Sequence, residues 1–181
     1  MKNIILLGFM GTGKSVVGRR LAIDLRYQFV DTDHMIEEKT GKKISEIFEE
    51  EGEAQFRNLE AEVAEEVGRR SDHVISTGGG IVLNPANMEA LSRNGILVSL
   101  QARPEIIFKR VQKRAGQRPL LQGPDPLSQI KRLVLEREPY YRRATFTIDT
   151  SDLPLEEVVH QIKKKVLQGE DQKNSGFAGS Q

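Results

Sequence analysis

Short apolar runs of strand length alternate with longer, helix-like stretches along most of the chain. The runs fall at 4–7, 27–30, 73–77, 96–100 and 145–149. Between them, apolar residues recur every three or four positions, which is typical of helices with one buried face. An alternation of this kind predicts a parallel sheet with helices on both faces. We therefore expect an α/β fold with a five-stranded parallel sheet.

The alternating pattern fails in two places. Residues 114–126 contain two glycines and three prolines, which argue against regular structure. A loop of this length in a small domain is often a lid or a binding loop. Residues 169–181 are polar and rich in glycine, and we expect them to form a disordered tail. The remainder, residues 1–168, is expected to be a single domain.

The composition excludes several classes of function. The chain has 181 residues, a net charge of +1 and no cysteine. This charge gives no reason to expect a nucleic-acid or membrane partner. The lack of cysteine excludes disulfides, thiolate catalysis and cysteine-ligated metal. The first apolar run is too short for a signal peptide or a membrane span, so a cytoplasmic location is the expectation.

The most specific motif, Gly8–Ser15, lies between the first predicted strand and the first predicted helix. It reads G-F-M-G-T-G-K-S and fits the pattern G-x-x-x-x-G-K-[ST]. Glycines let the backbone curl so that N–H groups point inward, and the helix N-terminus adds its dipole. The alternative is a flexible turn with a surface lysine, but the strand before and the helix after favour phosphate binding. The residues expected to hold nucleotide phosphates are Gly11, Thr12, Gly13, Lys14, Ser15 and Val16.

Two further segments of interest follow the second and third predicted strands. Asp31 and Asp33 come at the end of the second strand, where ligands sit in open α/β sheets. Either carboxylate could merely cap the next helix, but a phosphate-binding loop on the preceding unit favours a Mg²⁺ or substrate role. Gly78–Gly80 follow the third strand. They are either a plain turn or bare backbone placed against a ligand, and their position favours the second.

Two arginines are candidates of a different kind. Arg57 and Glu60 are three residues apart, so they share one face of a predicted helix. The spacing alone favours an ordinary exposed ion pair, and the sharper alternative is an arginine fork held by Glu60 and aimed at a carboxylate. Arg118 lies within the irregular segment 114–126. A basic residue on a mobile loop could close over phosphates.

Taken together, six segments resemble the shikimate kinase family, and the resemblance spans about residues 2–167. It implies a P-loop fold related to nucleoside monophosphate kinases, with strand order 2-3-1-4-5. It also implies a helical substrate-binding segment at about 31–62 and a lid at about 112–126. The segments that carry it are Gly8–Ser15, Asp31–Asp33, Gly52–Glu60, Ser76–Gly80, Arg118–Leu121 and Arg137–Tyr140.

On the acceptor side, the resemblance implies that Asp33 binds the hydroxyls of shikimate, while Arg57 and Arg137 bind its carboxylate. The backbone of Gly79, within Gly78–Gly80, would line the ring. Two arginines can clamp a carboxylate by bidentate bonds and so fix which hydroxyl faces ATP. A carboxylate at Asp33 can orient that hydroxyl and accept its proton.

On the donor side, the resemblance implies that Ser15 ligates Mg²⁺, with Asp31 close by through water. Arg118 would reach the ATP phosphates from the lid, and Arg110 would flank the adenine. Lys14, Mg²⁺ and Arg118 would stabilise charge on the transferring phosphoryl group. The catalytic set is thus Asp33, Lys14 and Arg118.

The expected reaction is Mg²⁺-dependent transfer of the γ-phosphate of ATP to the 3-hydroxyl of shikimate, by a monomer. Two alternatives stay open: a gluconate-type kinase on the same fold, and a non-catalytic P-loop module that only binds nucleotide. The arginine pair and Gly78–Gly80 speak against the first alternative. The complete set of candidate site residues speaks against the second.

One departure from the family is the segment 140–145, which is more basic than the acidic stretch expected there.

Overall fold

The computed structural model of the chain describes residues 2–112 and 125–175, with side chains described up to residue 168. The strands are β1 (Asn3–Leu7), β2 (Gln28–Asp31), β3 (His73–Ser76), β4 (Gly95–Gln101) and β5 (Phe146–Asp149). The first helices are α1 (Lys14–Leu25), α2 (Thr32–Thr40), α3 (Ile44–Glu50) and α4 (Gly52–Gly68). They are followed by α5 (Pro85–Arg93), α6 (Pro104–Gln112), α7 (Pro126–Tyr141) and α8 (Leu155–Ser175).

The strands form one parallel sheet in the order β2-β3-β1-β4-β5. The predicted fold class and strand order are confirmed. The central strand β1 lies between β3 and β4, so its carboxyl end opens into the middle of the sheet edge. Ligands bind at that edge in open α/β sheets. The loop 8–15 therefore emerges at the centre of the expected crevice.

Strand β1 is buried on both faces, which explains its continuous apolar run. Ile5 and Leu7 pack into a core with helices α4 to α7, and Ile4 and Leu6 pack into the opposite core with α1 and α8. Alternate side chains of a strand point to opposite faces, so one apolar segment supports both layers. The sheet is thereby held rigid directly beneath the loop that follows it.

Helix α7 begins at the last residue of the segment 114–126, for which no regular structure was predicted. Its first residue is Pro126, and the carboxylate of Asp125 accepts a hydrogen bond from the backbone N–H of Ser128 at 3.1 Å. Proline suits the first turn of a helix because no intrahelical N–H bond is needed there. Residues 113–124, which make up most of the predicted lid and include Arg118, lie outside the described residues.

The expectation of a disordered tail from residue 169 is wrong for residues 169–175. Helix α8 continues to Ser175. Residues 170–173, Glu-Asp-Gln-Lys, include good helix formers, and a helix already nucleated adds residues at little cost. The remaining tail residues lie outside the described part. Within the part described, no helix is long and apolar enough to cross a membrane.

The contact between α4 and α5 depends on Gly68. A side chain on this residue would overlap the carbonyl oxygen of Ala90. We expect Gly68→Ala to lower the free energy of unfolding by about 1–3 kcal/mol, because two helix backbones must move apart. Thermal denaturation measures the change. Glu62→Ala, at an exposed position of the same helix, is the control and should stay within about 0.5 kcal/mol of wild type. An unchanged melting temperature for Gly68→Ala would contradict the close contact.

Candidate active site

The loop after β1 is a curled backbone that glycine makes possible. Gly8 and Gly13 have φ angles of 144° and 101°, a region that other residues rarely adopt. A side chain on Gly8 would also overlap the carbonyl oxygen of Leu100. The loop passes directly into α1, whose first N–H groups have no intrahelical acceptor. This is the geometry of an anion site.

Lys14 is folded over this loop. Its Nζ donates to the carbonyl oxygens of Gly8 at 2.8 Å and Phe9 at 3.0 Å, and the residue is 9% exposed. The ammonium is thus held by neutral carbonyls at the start of the helix. A phosphate oxygen offers a stronger, charge-assisted acceptor than a carbonyl, so an anion entering the loop can take over these bonds.

A cavity of about 430 Å³ opens above the loop. Part of its lining is polar and comes from the loop and from the ends of β2 and β3. The rest follows β5 and the start of α8 and is mainly apolar. The lining includes Met10 to Val17, Asp31, Asp33, Ser76, Gly79, Arg110, Thr150, Leu153, Leu155 and Val158. A cavity with a phosphate loop and an apolar wall suits a nucleotide.

Three oxygen side chains meet beside the start of α1. Ser15 Oγ donates to Asp31 Oδ2 at 2.8 Å and lies 3.3 Å from Ser76 Oγ. Asp31 and Ser76 are cross-strand partners in the β2–β3 register. Hydroxyl and carboxylate oxygens suit Mg²⁺, which is usually bound by one or two protein groups together with phosphates. The described residues contain no cluster of three or more His, Cys, Asp or Glu that could hold a metal ion.

Asp31 also orients the residue expected to act on the acceptor. Its Oδ1 accepts the backbone N–H of Asp33 at 3.2 Å and caps α2. The two expectations for this carboxylate, a helix cap and a role near the metal, are therefore compatible because they use different oxygens. Asp33 stands in the first turn of α2, half-buried, and faces the cavity.

Gly78–Gly80 bring three charged side chains together. An added Cβ on Gly78 would lie 2.6 Å from Asp33 Oδ1, and one on Gly79 would lie 3.6 Å from Arg137 Nη1. An added Cβ on Gly80 would overlap the guanidinium of Arg57. None of the three glycines has a φ in the left-handed region. Gly78 and Gly80 are therefore needed for space and not for backbone conformation, whereas a Cβ on Gly79 would make only ordinary van der Waals contacts.

Arg57 belongs to a half-buried ion network. Its Nη1 donates to Glu60 Oε2 at 2.8 Å, and its Nη2 donates to Glu53 Oε1 at 3.0 Å. The side chain of Arg57 is 29% exposed and that of Glu60 only 1%. The spacing of these residues favoured an ordinary exposed pair, and that interpretation is wrong because α4 turns Glu60 into the core beside Gly78.

The burial of Glu60 sets the electrostatics of this network. Burial raises the pKa of the Glu60 carboxyl, while the hydrogen bond and charge of Arg57 and the charge of Arg137 oppose the rise. Burial also disfavours the charged form of the Arg57 guanidinium. The hydrogen bonds and charges of Glu60 and Glu53 outweigh this effect, so the pKa of Arg57 is raised. Arg57 is thus a fixed cation whose position depends on Glu60.

Arg137 is fixed from the opposite side by α7. Its guanidinium carbon lies 5.5 Å from the ring centroid of Phe9, and the hydroxyl of Tyr141, one helical turn away, donates to Gly79 O at 2.7 Å. Burial raises the pKa of Tyr141 to about 12, so the hydroxyl stays protonated and able to donate. The roles of Ser76, Tyr141 and Thr150 were not predicted from the sequence. A weak signal for Tyr141 was its spacing of four from Arg137.

Arg110 contacts the back of the phosphate loop. It donates to Gly11 O at 3.2 Å and to Thr150 O at 2.6 Å, and it also lines the cavity. The expected place of Arg110 beside adenine is thus compatible with its position. Val16 lines the same cavity and is 47% exposed. Arg118 lies outside the described residues, so its expected contact with phosphates stays a prediction.

The fold and the site together define a class, the P-loop kinases of small molecules. Comparison with known proteins identifies one family within this class. Residues 10–167 match the family model described as shikimate kinase. The chain belongs to the shikimate kinase family and is an ATP-dependent kinase.

Individual relatives agree with this assignment. A protein of Caldanaerobacter subterraneus subsp. tengcongensis named shikimate kinase is 48% identical over 162 residues, which cover 90% of this chain and 94% of the relative. The solved structure of shikimate kinase from Acinetobacter baumannii in complex with shikimate matches with a TM-score of 0.88 and 40% identity. That match covers 93% of this chain and 94% of the other. A gluconokinase structure from Sinorhizobium meliloti matches at 19% identity with a TM-score of 0.58, which shows a shared fold only.

Proposed function

We propose that the chain transfers the γ-phosphoryl group of ATP to the 3-hydroxyl of shikimate, giving shikimate 3-phosphate and ADP, with Mg²⁺ as cofactor. The observation that carries the proposal is the convergence of Asp33, Arg57 and Arg137 on Gly78–Gly80, at the edge of the cavity above the phosphate loop. A cation pair beside a carboxylate matches an acceptor that is both an anion and an alcohol. Shikimate is such a molecule.

The two guanidiniums would hold the carboxylate of the acceptor. Arg57 is steadied by Glu60 and Glu53, and Arg137 by its contact with Phe9. Guanidiniums already fixed before binding lose little freedom when they clamp a carboxylate, which favours affinity and a single orientation. Orientation matters because in-line phosphoryl transfer needs one particular hydroxyl in reach of the γ-phosphate.

Asp33 would orient the reacting hydroxyl and accept its proton. The first turn of α2 and the cap by Asp31 set its direction, and the absence of a side chain on Gly78 leaves it room. A positioned base of this kind contributes on the order of 10²- to 10⁴-fold to a rate. On the donor side, Lys14 and the N–H groups of the loop would stabilise charge on the phosphoryl oxygens.

Ser15 and Asp31 are the residues that would hold Mg²⁺, which when bound neutralises phosphate charge. The cluster they form with Ser76 consists of oxygen atoms only, which supports a hard cation. Arg118 would approach the same phosphates, as its place in the family motif implies.

A substrate panel tests the proposal. ADP release is coupled to a spectroscopic assay with shikimate, gluconate and nucleoside monophosphates as acceptors, with and without Mg²⁺. We expect Mg²⁺-dependent turnover with shikimate alone. Turnover of gluconate or a nucleotide without turnover of shikimate would overturn the proposal. Binding of ATP with no turnover of any acceptor would favour a nucleotide-binding module instead.

Replacing the first acceptor-side arginine should separate the two substrates. We expect Arg57→Ala to raise KM for shikimate by about 10- to 100-fold, which is the value of a charge-assisted hydrogen bond pair, with KM for ATP nearly unchanged. Arg57→Lys keeps a partner for the buried Glu60 but loses the fork, so it should be intermediate. Steady-state kinetics measures both constants.

The matched control for this prediction is Arg69→Ala. Arg69 follows α4 at its carboxyl end, and its side chain is 76% exposed. The control should leave both KM values within about twofold of wild type. An equal rise of both constants in Arg57→Ala would point to a general fold defect and would remove Arg57 from the proposed carboxylate site.

A further inference from the structure

Thr150, the residue directly after β5, is hydrogen-bonded to three other segments of the chain. It is 3% exposed. Its Oγ1 shares its proton between Thr12 O at 2.9 Å and Gln101 O at 3.1 Å, and it accepts from Arg110 Nη1 at 3.0 Å. Its backbone N–H donates to Gln101 O at 2.8 Å. The residue therefore joins the phosphate loop, the end of β4 and helix α6.

The contact with Thr12 acts on the part of the loop that faces a nucleotide. The peptide unit is planar and trans, so the carbonyl of one residue and the N–H of the next point in opposite directions. Holding Thr12 O against Thr150 therefore fixes the N–H of Gly13 away from Thr150. Gly13 lines the cavity above the loop. The preceding carbonyl, Gly11 O, is held on the same side by Arg110.

The segment after Thr150 is itself fastened to the turn before α6. Ser151 Oγ accepts the backbone N–H of Arg103 at 2.9 Å, and the Arg103 guanidinium makes two bonds to Asp152, at 2.9 and 2.6 Å. This segment leads to Leu153, which lines the apolar part of the cavity together with Leu155. Through its hydrogen bond to Thr12 O, Thr150 connects this wall to the phosphate loop.

We propose that Thr150 is a positioning residue for the nucleotide, whose hydroxyl sets the distance between the phosphate loop and the apolar wall after β5. With that contact in place, Gly13 N–H and the wall that begins at Leu153 fit one and the same nucleotide. Without it, each half of the cavity can still form, but their spacing is no longer fixed. The inference rests on the proposed function only in taking a nucleotide as the donor.

Three variants test the role of the hydroxyl. Thr150→Val keeps the shape and removes the hydroxyl, whereas Thr150→Ser keeps the hydroxyl. Thr147→Val, at an exposed position of β5, is the matched control. Isothermal titration with MgADP in the absence of acceptor gives the nucleotide affinity, and steady-state kinetics gives the two KM values. Thr150→Ala, without the extra methyl group, replaces Thr150→Val if the latter does not fold.

We expect Thr150→Val to weaken MgADP binding and to raise KM for ATP, each by about tenfold. This factor corresponds to the free energy of one buried hydrogen bond. KM for shikimate should stay within about twofold of wild type. Thr150→Ser and Thr147→Val should stay within about twofold of wild type in both. A lower melting temperature with unchanged nucleotide affinity would overturn the inference, because the role would then be structural only. Failure of Thr150→Ser to restore affinity would also overturn it. If Thr150→Val loses affinity for MgADP but the wild-type chain does not phosphorylate shikimate, the proposed function is refuted and the inference stands.

Discussion

Asp33→Asn is expected to fold normally and to lose most of its turnover, with kcat reduced by about 10²- to 10⁴-fold. The amide has the shape of the carboxylate but cannot accept the proton of the acceptor hydroxyl at neutral pH. The cap of α2 is made by Asp31 through the backbone N–H of Asp33, so it survives the substitution. ATP binding should also survive, because the phosphate loop belongs to β1 and α1.

Three measurements separate chemistry from folding in this variant. The melting temperature and the affinity for MgADP should match wild type, while the coupled assay reports kcat. Asp24→Asn is the control, since it removes a carboxylate from the side of α1 that pairs with Arg20 and Lys163. It should leave kcat within about twofold of wild type. Turnover near that of wild type in Asp33→Asn would remove Asp33 from the proton transfer.

The second large effect is expected for Lys14→Met, in which kcat should fall by about 10²- to 10³-fold. Methionine keeps much of the aliphatic stem but takes away the ammonium that would stabilise charge on the transferred phosphoryl group. KM for shikimate should change little, because Arg57 and Arg137 are held by other contacts. The coupled assay at saturating ATP and shikimate isolates the effect on kcat.

The same substitution has a measurable cost in stability. It leaves the carbonyl of Gly8 without the donor it has in Lys14, whereas the carbonyl of Phe9 keeps the Thr12 hydroxyl. The loss of one buried donor destabilises by about 1–3 kcal/mol. Thermal denaturation therefore accompanies the kinetics, which are run well below the melting temperature. Lys164→Met, at an exposed position of α8, should change neither property. A folded Lys14→Met enzyme with wild-type kcat would exclude Lys14 from the chemistry.

The main features of the fold were predictable because they are local patterns repeated along the chain. Five apolar runs separated by helical periodicity specify a parallel sheet, and the glycine-lysine-serine motif after the first run places a phosphate loop on it. The strand order came from the resemblance to a family. Periodicity alone does not distinguish 2-3-1-4-5 from other orders, because it carries no information on which strands are neighbours.

What the sequence did not reveal depends on distance across the fold. The hydroxyl of Thr150 donates a hydrogen bond to Thr12 O, 138 positions away in the chain, and no local sequence pattern predicts such a contact. The proximity of Ser76 to Ser15 follows from the register of β2 on β3, which exists only after the strands pair. The depth of Glu60 likewise depends on how α4 packs, so a spacing of three suggested an exposed pair where the structure has a buried carboxylate.

An assay of folding alone underestimates the importance of the three glycines after β3. Their backbone angles are ones that ordinary residues adopt. The atoms that a new side chain on Gly78 or Gly80 would meet first belong to the movable ends of Asp33 and Arg57. A substitution at Gly78 or Gly80 can therefore displace acceptor groups without distorting the backbone. Screens that score abundance or thermal stability will therefore underestimate the importance of this segment, which selection for growth or turnover measures directly.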